Sequence, residues 1–133
     1  MVININDTKK LKNIKEEFNL LFPYLNIEFF SKPYSRGEGS SKVQAANENN
    51  TIAECRNKHN SGLLEITPDM TVSDLENTFM NLYGLFVQVF RKSGSVWLET
   101  TVTDNWSLEE QNKQGESVTR HLTPKPKNEI PGY

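Results

Sequence analysis

The chain has 133 residues, enough to bury one core, and its 35 % hydrophobic and 10 % aromatic content argues against a wholly unfolded chain. A net charge of −2 and a pI near 5.7 give no global positive field toward nucleic acid or anionic lipid. No run of about 18 apolar residues exists to make a transmembrane helix. The first residues lack the basic and apolar regions of a signal peptide, and a single cysteine, Cys55, excludes an internal disulfide. A cytoplasmic location is the expectation.

In chain order, the alternation over Val2–Asn6 predicts a strand. Asp7 or Thr8 then caps a helix whose positions 11, 14, 18 and 21 share one apolar face. Lys9, Lys10, Lys12 and Lys15 crowd its start and oppose the helix dipole, so packing rather than charge must hold it. Pro23 ends it, and Asn26–Ser31 reads as a second strand.

Residues 33–50 change to turn chemistry, with Pro33, Gly37, Gly39 and an Asn-rich run. Thr51 and Glu54 have the spacing of a capping box for a short helix to about Lys58. A third strand starts near Leu63, and Thr71 with Asp74 opens another helix to Tyr83, with Gly84 as its natural stop. Leu85–Arg91 and Val96–Val102 read as strands joined by the turn Lys92-Ser93-Gly94-Ser95. Ser107 with Glu110 starts a short polar helix to about Gln114, and a proline-containing tail occupies 122–133.

The pattern is written twice. Ile3, Ile5, Leu11, Ile14, Phe18, Leu21 and Phe22 answer to Leu64, Ile66, Val72, Leu75, Phe79, Leu82 and Tyr83 at an offset of 61. Leu25, Ile27, Phe29 and Phe30 answer to Leu85, Val87, Val89 and Phe90 at an offset of 60. Two tandem β-α-β units imply an α+β fold of ferredoxin-like arrangement, an antiparallel sheet with two helices on one face, plus an extra C-terminal hairpin strand. The expected organisation is one domain over 1–121, carrying a loop and short-helix insertion at 33–62, and a flexible tail over 122–133.

Alternation puts Phe30, Phe86, Phe90 and Trp97 on the sheet face away from the helices. Such an apolar face marks a surface for a protein partner or a second copy, unless the insertion or the segment around Trp106 and Leu108 folds over it. Stacking RNA bases there is disfavoured: the third strand has no aromatic, and Glu28, Glu65 and Glu99 repel phosphate. The alternative is a ligand or anion site, enzymatic or not, at the loop containing Arg36, Gly37, Gly39 and Lys42, whose glycines free backbone N–H groups but do not make a P-loop.

Cys55 and His59 lie four apart on the predicted short helix, too few ligands for a structural zinc and lacking the base of a nucleophile pair. We expect no metal, no cofactor and no membrane contact. The leading reading is a small non-enzymatic interaction module.

Overall fold

The computed structural model describes residues 1–32 and 44–122. The chain is a mixed α+β protein with two antiparallel sheets and four helices among those residues. Its elements are β1 (Val2–Ile5), α1 (Leu11–Leu21), β2 (Leu25–Phe30), α2 (Ile52–Cys55), β3 (Gly62–Glu65), α3 (Val72–Tyr83), β4 (Phe86–Ser93), β5 (Val96–Glu99) and α4 (Leu108–Leu122). Strands β1 and β3 form one sheet, and β2, β4 and β5, in that order, form the other.

The sequence repeat is expressed as an internal two-fold. Ile3 lies opposite its own counterpart Leu64 in the β1–β3 ladder, and Glu28 lies opposite its counterpart Gln88 in the β2–β4 ladder. Antiparallel pairing of equivalent residues is what a two-fold operation produces, as in the isologous contacts of a dimer.

The repeat also runs further than the apolar pattern reveals. At the start of α1, Leu11 and Lys12 donate their backbone N–H groups to Asn50 and Glu48 carbonyls, while Ile52 donates to Lys9. At the start of α3, Val72 and Ser73 donate to Trp106 and Asp104, and Leu108 donates to Met70. The two sets of bonds match one for one. They identify the segment before and into α2 as the counterpart, at an offset of 56, of the segment before and into α4.

These connections satisfy the orphan N–H groups that every helix start exposes. Lys10, not Asp7 or Thr8, is the N-cap of α1, and it makes no side-chain cap bond. The chain's own 48–52 segment does that work. Helix α3 has both devices, since Thr71 Oγ1 also accepts from the Asp74 N–H. The boxes at Thr51–Glu54 and Ser107–Glu110 are both closed reciprocally.

All eight inward strand positions (Ile3, Ile5, Ile27, Phe29, Leu64, Ile66, Val87 and Val89) are buried. They join Leu11, Ile14, Phe18, Val72, Leu75 and Phe79 from the helices in one contiguous cluster. One matched position departs: Leu82, counterpart of Leu21, is 53 % exposed.

Several boundaries differ from expectation, most of them by one or two residues. Strand β5 stops at Glu99 instead of Val102, and α2 stops at Cys55 instead of Lys58. Helix α4 continues to Leu122 instead of ending near Gln114. Its buried stripe is Leu108, Gln111, Gly115 and Thr119, helical in spacing but almost free of apolar character, so hydrophobic periodicity cannot reveal it. Gly115 is the contact point with the sheet, where an added Cβ would lie 3.0 Å from Tyr24 Cβ and 3.1 Å from Arg91 Cγ.

Candidate functional site

In the larger sheet, the face away from the core carries Asn26, Glu28 and Phe30 from β2, then Phe86, Gln88, Phe90 and Lys92 from β4. The register adds Trp97 opposite Lys92 and Glu99 opposite Phe90. This face is not uniformly open. Phe30 is only 3 % exposed, outside the main cluster, with its backbone bridged to Ala45 on one side and paired with Phe86 on the other. Gln88 is also buried, its Nε2 donating to the Val89 carbonyl at 3.1 Å. Phe86 and Phe90 are partly buried.

Of the four aromatics expected to share an exposed face, Trp97 alone is open, and Phe30 is withdrawn by the chain around Ala45. At the β2 edge, Lys15 of α1 reaches Glu28 at 2.9 Å and Glu48 at 3.2 Å, which closes that side with charge.

Exposure instead concentrates on β5. All four of its residues are exposed, and three are apolar: Val96, Trp97 and Leu98. Val102, 70 % exposed, continues the apolar surface, and Trp97, Leu98, Thr101 and Val102 border a shallow depression of about 470 Å³. Among the described residues, β5 hydrogen-bonds along one edge only, to β4. An apolar strand with no second neighbouring strand among the described residues is a geometry that proteins normally blunt, because another chain can add to it.

Two cations flank this strand. Lys92 lies opposite Trp97, and Arg91 lies opposite Leu98 on the other face. The Arg91 guanidinium stacks over the Trp106 ring, 5.6 Å from its centroid, and its Nη1 donates to Gln111 Oε1 at 2.9 Å. Gln111 is itself held by its Nε2, which donates to the carbonyl and hydroxyl oxygens of Thr103. Burial pulls the Arg91 pKa below the usual arginine value. Neither Arg91 nor Lys92 pairs with a carboxylate among the described residues.

A second, polar cluster sits after α2. The Arg56 side chain is fully buried; its Nη2 and Nε donate to Asp7 Oδ1 at 2.8 and 3.2 Å, and its Nη1 donates to the Tyr83 carbonyl at 2.9 Å. His59 Nδ1 meets Asp7 Oδ2 at 2.9 Å. Hydrogen bonds from Arg56 first, and then from His59, hold the Asp7 carboxyl below its ordinary range.

Beside this cluster is a cleft of about 310 Å³ bordered by Ser31, Cys55, Lys58, Gly84 and Phe86. The Cys55 thiol faces the Phe30 carbonyl at 3.7 Å, and burial pushes its pKa up, so it stays protonated. Cys55 and His59 do not share a helix, because α2 ends at Cys55. Through Arg56 the cluster ties the segments that follow β1 and α2 to the end of α3.

Sequence patterns missed Arg91, Leu98 and Val102 as surface determinants. The usable signal lay in the last strand, which follows a hairpin and has no second partner in the predicted topology. The loop of Arg36, Gly37, Gly39 and Lys42, and the tail after Leu122, lie outside the described residues. Among the described residues no group of three or more His, Cys, Asp or Glu side chains is placed to hold a metal ion, and no helix is long and apolar enough to cross a membrane. A scan of protein-family models, a search of curated proteins and a search of solved structures each returned no match.

Proposed function

We propose that this chain is a non-enzymatic protein-interaction module that offers the β4–β5 surface, centred on Trp97, to a protein partner or to a second copy. The observation that carries this reading is that Val96, Trp97 and Leu98 are all exposed on a strand that, among the described residues, pairs with β4 alone. Phe86 and Phe90 lie behind Trp97 as partly buried support, and Phe30 belongs to the packed interior of the same face.

The finer fold reading is a ferredoxin-like order of elements, β-α-β twice, with β5 as an added hairpin strand. Antiparallel pairing of β1 with β3 about the internal two-fold supports it. The β2–β4 ladder brings together strands that an open ferredoxin-like sheet keeps at its edges.

Trp97→Asp tests the function, with circular dichroism to verify folding. Light scattering reads self-association, and cross-linking followed by mass mapping reads contact with a partner. The expected result is association in the wild type that Trp97→Asp abolishes at unchanged helix content. A wild type that stays monomeric, with any cross-links mapping away from β4 and β5, would overturn the proposal.

A further inference from the structure

We propose that His59 is a modification site: its Nε2 is a nucleophile that accepts a phosphoryl group while Asp7 holds Nδ1 on the other side of the ring. It shares no residue with the β4–β5 surface.

The hydrogen bonds fix which ring nitrogen is open. Asp7 is held as a carboxylate by Arg56, whose side chain is fully buried and whose Nη2 and Nε both donate to Oδ1. Oδ2 is left for the ring. An ionised carboxylate only accepts, so at the 2.9 Å contact it is Nδ1 that carries the proton and donates. Nε2 then keeps its lone pair, and it bonds to nothing among the described residues. The side chain is 54 % exposed, open to a donor from solution. Its neighbours are pinned: Lys58 Nζ donates to the Asn81 carbonyl and Asn60 Nδ2 to the Leu82 carbonyl, both in the last turn of α3.

This arrangement favours transfer to Nε2. The lone pair forms an N–P bond, the bond from phosphorus to the leaving group breaks, and the leaving group departs with that electron pair. The ring becomes a cation, its proton still on Nδ1 against the Asp7 carboxylate. That charge is absent before attack, so the carboxylate stabilises the transition state more than the free ring. Lys58, the preceding residue, pairs with no carboxylate among the described residues and presents a cation to an anionic donor. The thiol of Cys55 is turned to the Phe30 carbonyl, so it is not a nucleophile for His59 to activate.

The internal repeat shows that packing does not require the pair. Arg56 and Asn112 stand at equivalent positions, 56 apart, and each ties its segment to the end of a helix in the other copy. Arg56 Nη1 donates to the Tyr83 carbonyl at the end of α3, and Asn112 Oδ1 accepts from the Tyr24 N–H beyond α1. In the second case the place of Asp7 is taken by Pro68, whose side chain cannot hold an imidazole. An exposed contact such as His59 to Asp7 also adds little to stability.

The test incubates the full-length protein with potassium phosphoramidate at mildly alkaline pH. Attack on this reagent breaks its P–N bond and releases ammonia, so no further reactant is needed. The chain has two histidines, and His121, exposed at the end of α4, is the reference within the same molecule. Peptide mass mapping reads the site, and phosphorus NMR separates the Nε2 product from the Nδ1 product. His59 should be phosphorylated at Nε2 at least about tenfold faster than His121. His59→Gln should remove that product. Asp7→Asn, verified as folded by circular dichroism, should bring the His59 rate down to that of His121.

Equal rates at the two histidines, or a His59 product on Nδ1, would overturn the proposal in the wild type alone. A folded Asp7→Asn protein that reacts as fast as the wild type would overturn it as well, since the carboxylate would then play no part. If Asp7→Asn does not fold, the rate ratio and the isomer formed in the wild type decide.

Discussion

Ile3 sits directly across the β1–β3 ladder from Leu64, the residue that occupies its place in the second copy of the repeat. Both side chains are buried. The same relationship holds for Glu28 and Gln88 in the β2–β4 ladder. The chain thus brings its two halves together much as a symmetric dimer would, with the joining segment covalent. The repeat is a statement about packing: each half supplies an amphipathic helix and two strands, and neither half buries its apolar face without the other.

Equivalent core residues should then cost equivalent amounts. Phe18 and Phe79 are fully buried counterparts; Phe18 packs on Phe22 at 5.3 Å between ring centroids, and Phe79 meets Phe29 edge-on at 5.9 Å. Each change to Ala removes a large buried ring and leaves a cavity, at a cost of about 3–5 kcal/mol. Urea unfolding should give losses that agree within about 1 kcal/mol, and the double variant should not fold, given a total stability of about 5–15 kcal/mol. A loss below about 1 kcal/mol for one of them would show that the two copies do not share the core equally.

How much of this was legible in the sequence depended on whether a position carried apolar periodicity. Ile3, Phe18, Ile27, Leu64, Phe79 and Val87 announced themselves because a strand face repeats every second residue and a helix face every third or fourth. The α4 stripe did not, because Gln111, Gly115 and Thr119 are buried through hydrogen bonds and close backbone approach, not through apolar character. The free-face aromatics were legible as a face, yet Phe30 and Trp97 differ in exposure: Ala45 bridges to β2 on one side, while β5 is the last strand of the sheet among the described residues on the other. Which edge is covered is a tertiary fact that alternation does not encode. Arg91 with Trp106 and Gln111 was silent for the same reason, since the three come from separate segments.

Gly84 and Gly94 make a controlled pair. Both hold left-handed backbone, with φ of 64° and 66°. An added Cβ at Gly94 would meet Leu122 at 3.5 Å, an ordinary contact, whereas at Gly84 it would come within 2.9 Å of Lys58 Cβ. Gly94→Ala should therefore cost about 1–2 kcal/mol, the ordinary left-handed penalty. Gly84→Ala should cost visibly more, because the chain at Lys58 must also move. Thermal unfolding of the two variants checks the order, and equal shifts in Tm would refute it.

Cys55 should behave as an inert thiol. It is buried, its Sγ faces the Phe30 carbonyl, and burial raises its pKa, so the reactive thiolate is suppressed. Alkylation of native protein at mildly alkaline pH should be at least about tenfold slower than in denaturant, where the free thiol has its ordinary reactivity with a pKa of about 8.5. Native labelling at the unfolded rate would show that the cleft beside Cys55 is open to the sulfur.

Glu76 should give the fold a pH dependence of unusual sign for a carboxylate. Its Oε2 accepts from the Val89 N–H at 3.1 Å, while the Val89 carbonyl is taken up by Thr100 Oγ1 at 2.8 Å. Burial pushes the Glu76 pKa from 4.5 up to about 7; the Val89 N–H opposes that rise and the Asp104 charge adds to it. Between pH 4.5 and about 7 the folded chain keeps a proton that the unfolded chain has released, so stability falls as pH rises through this window. The shift corresponds to about 3 kcal/mol lost by pH 8 relative to pH 4.5. Glu76→Gln preserves an oxygen acceptor for Val89 but carries no charge. Urea unfolding at several pH values should show the wild type losing stability toward pH 8 relative to the variant, with the two converging near pH 4.5. Parallel pH curves for the two proteins would mean that Glu76 ionises without penalty and that its carboxylate reaches water.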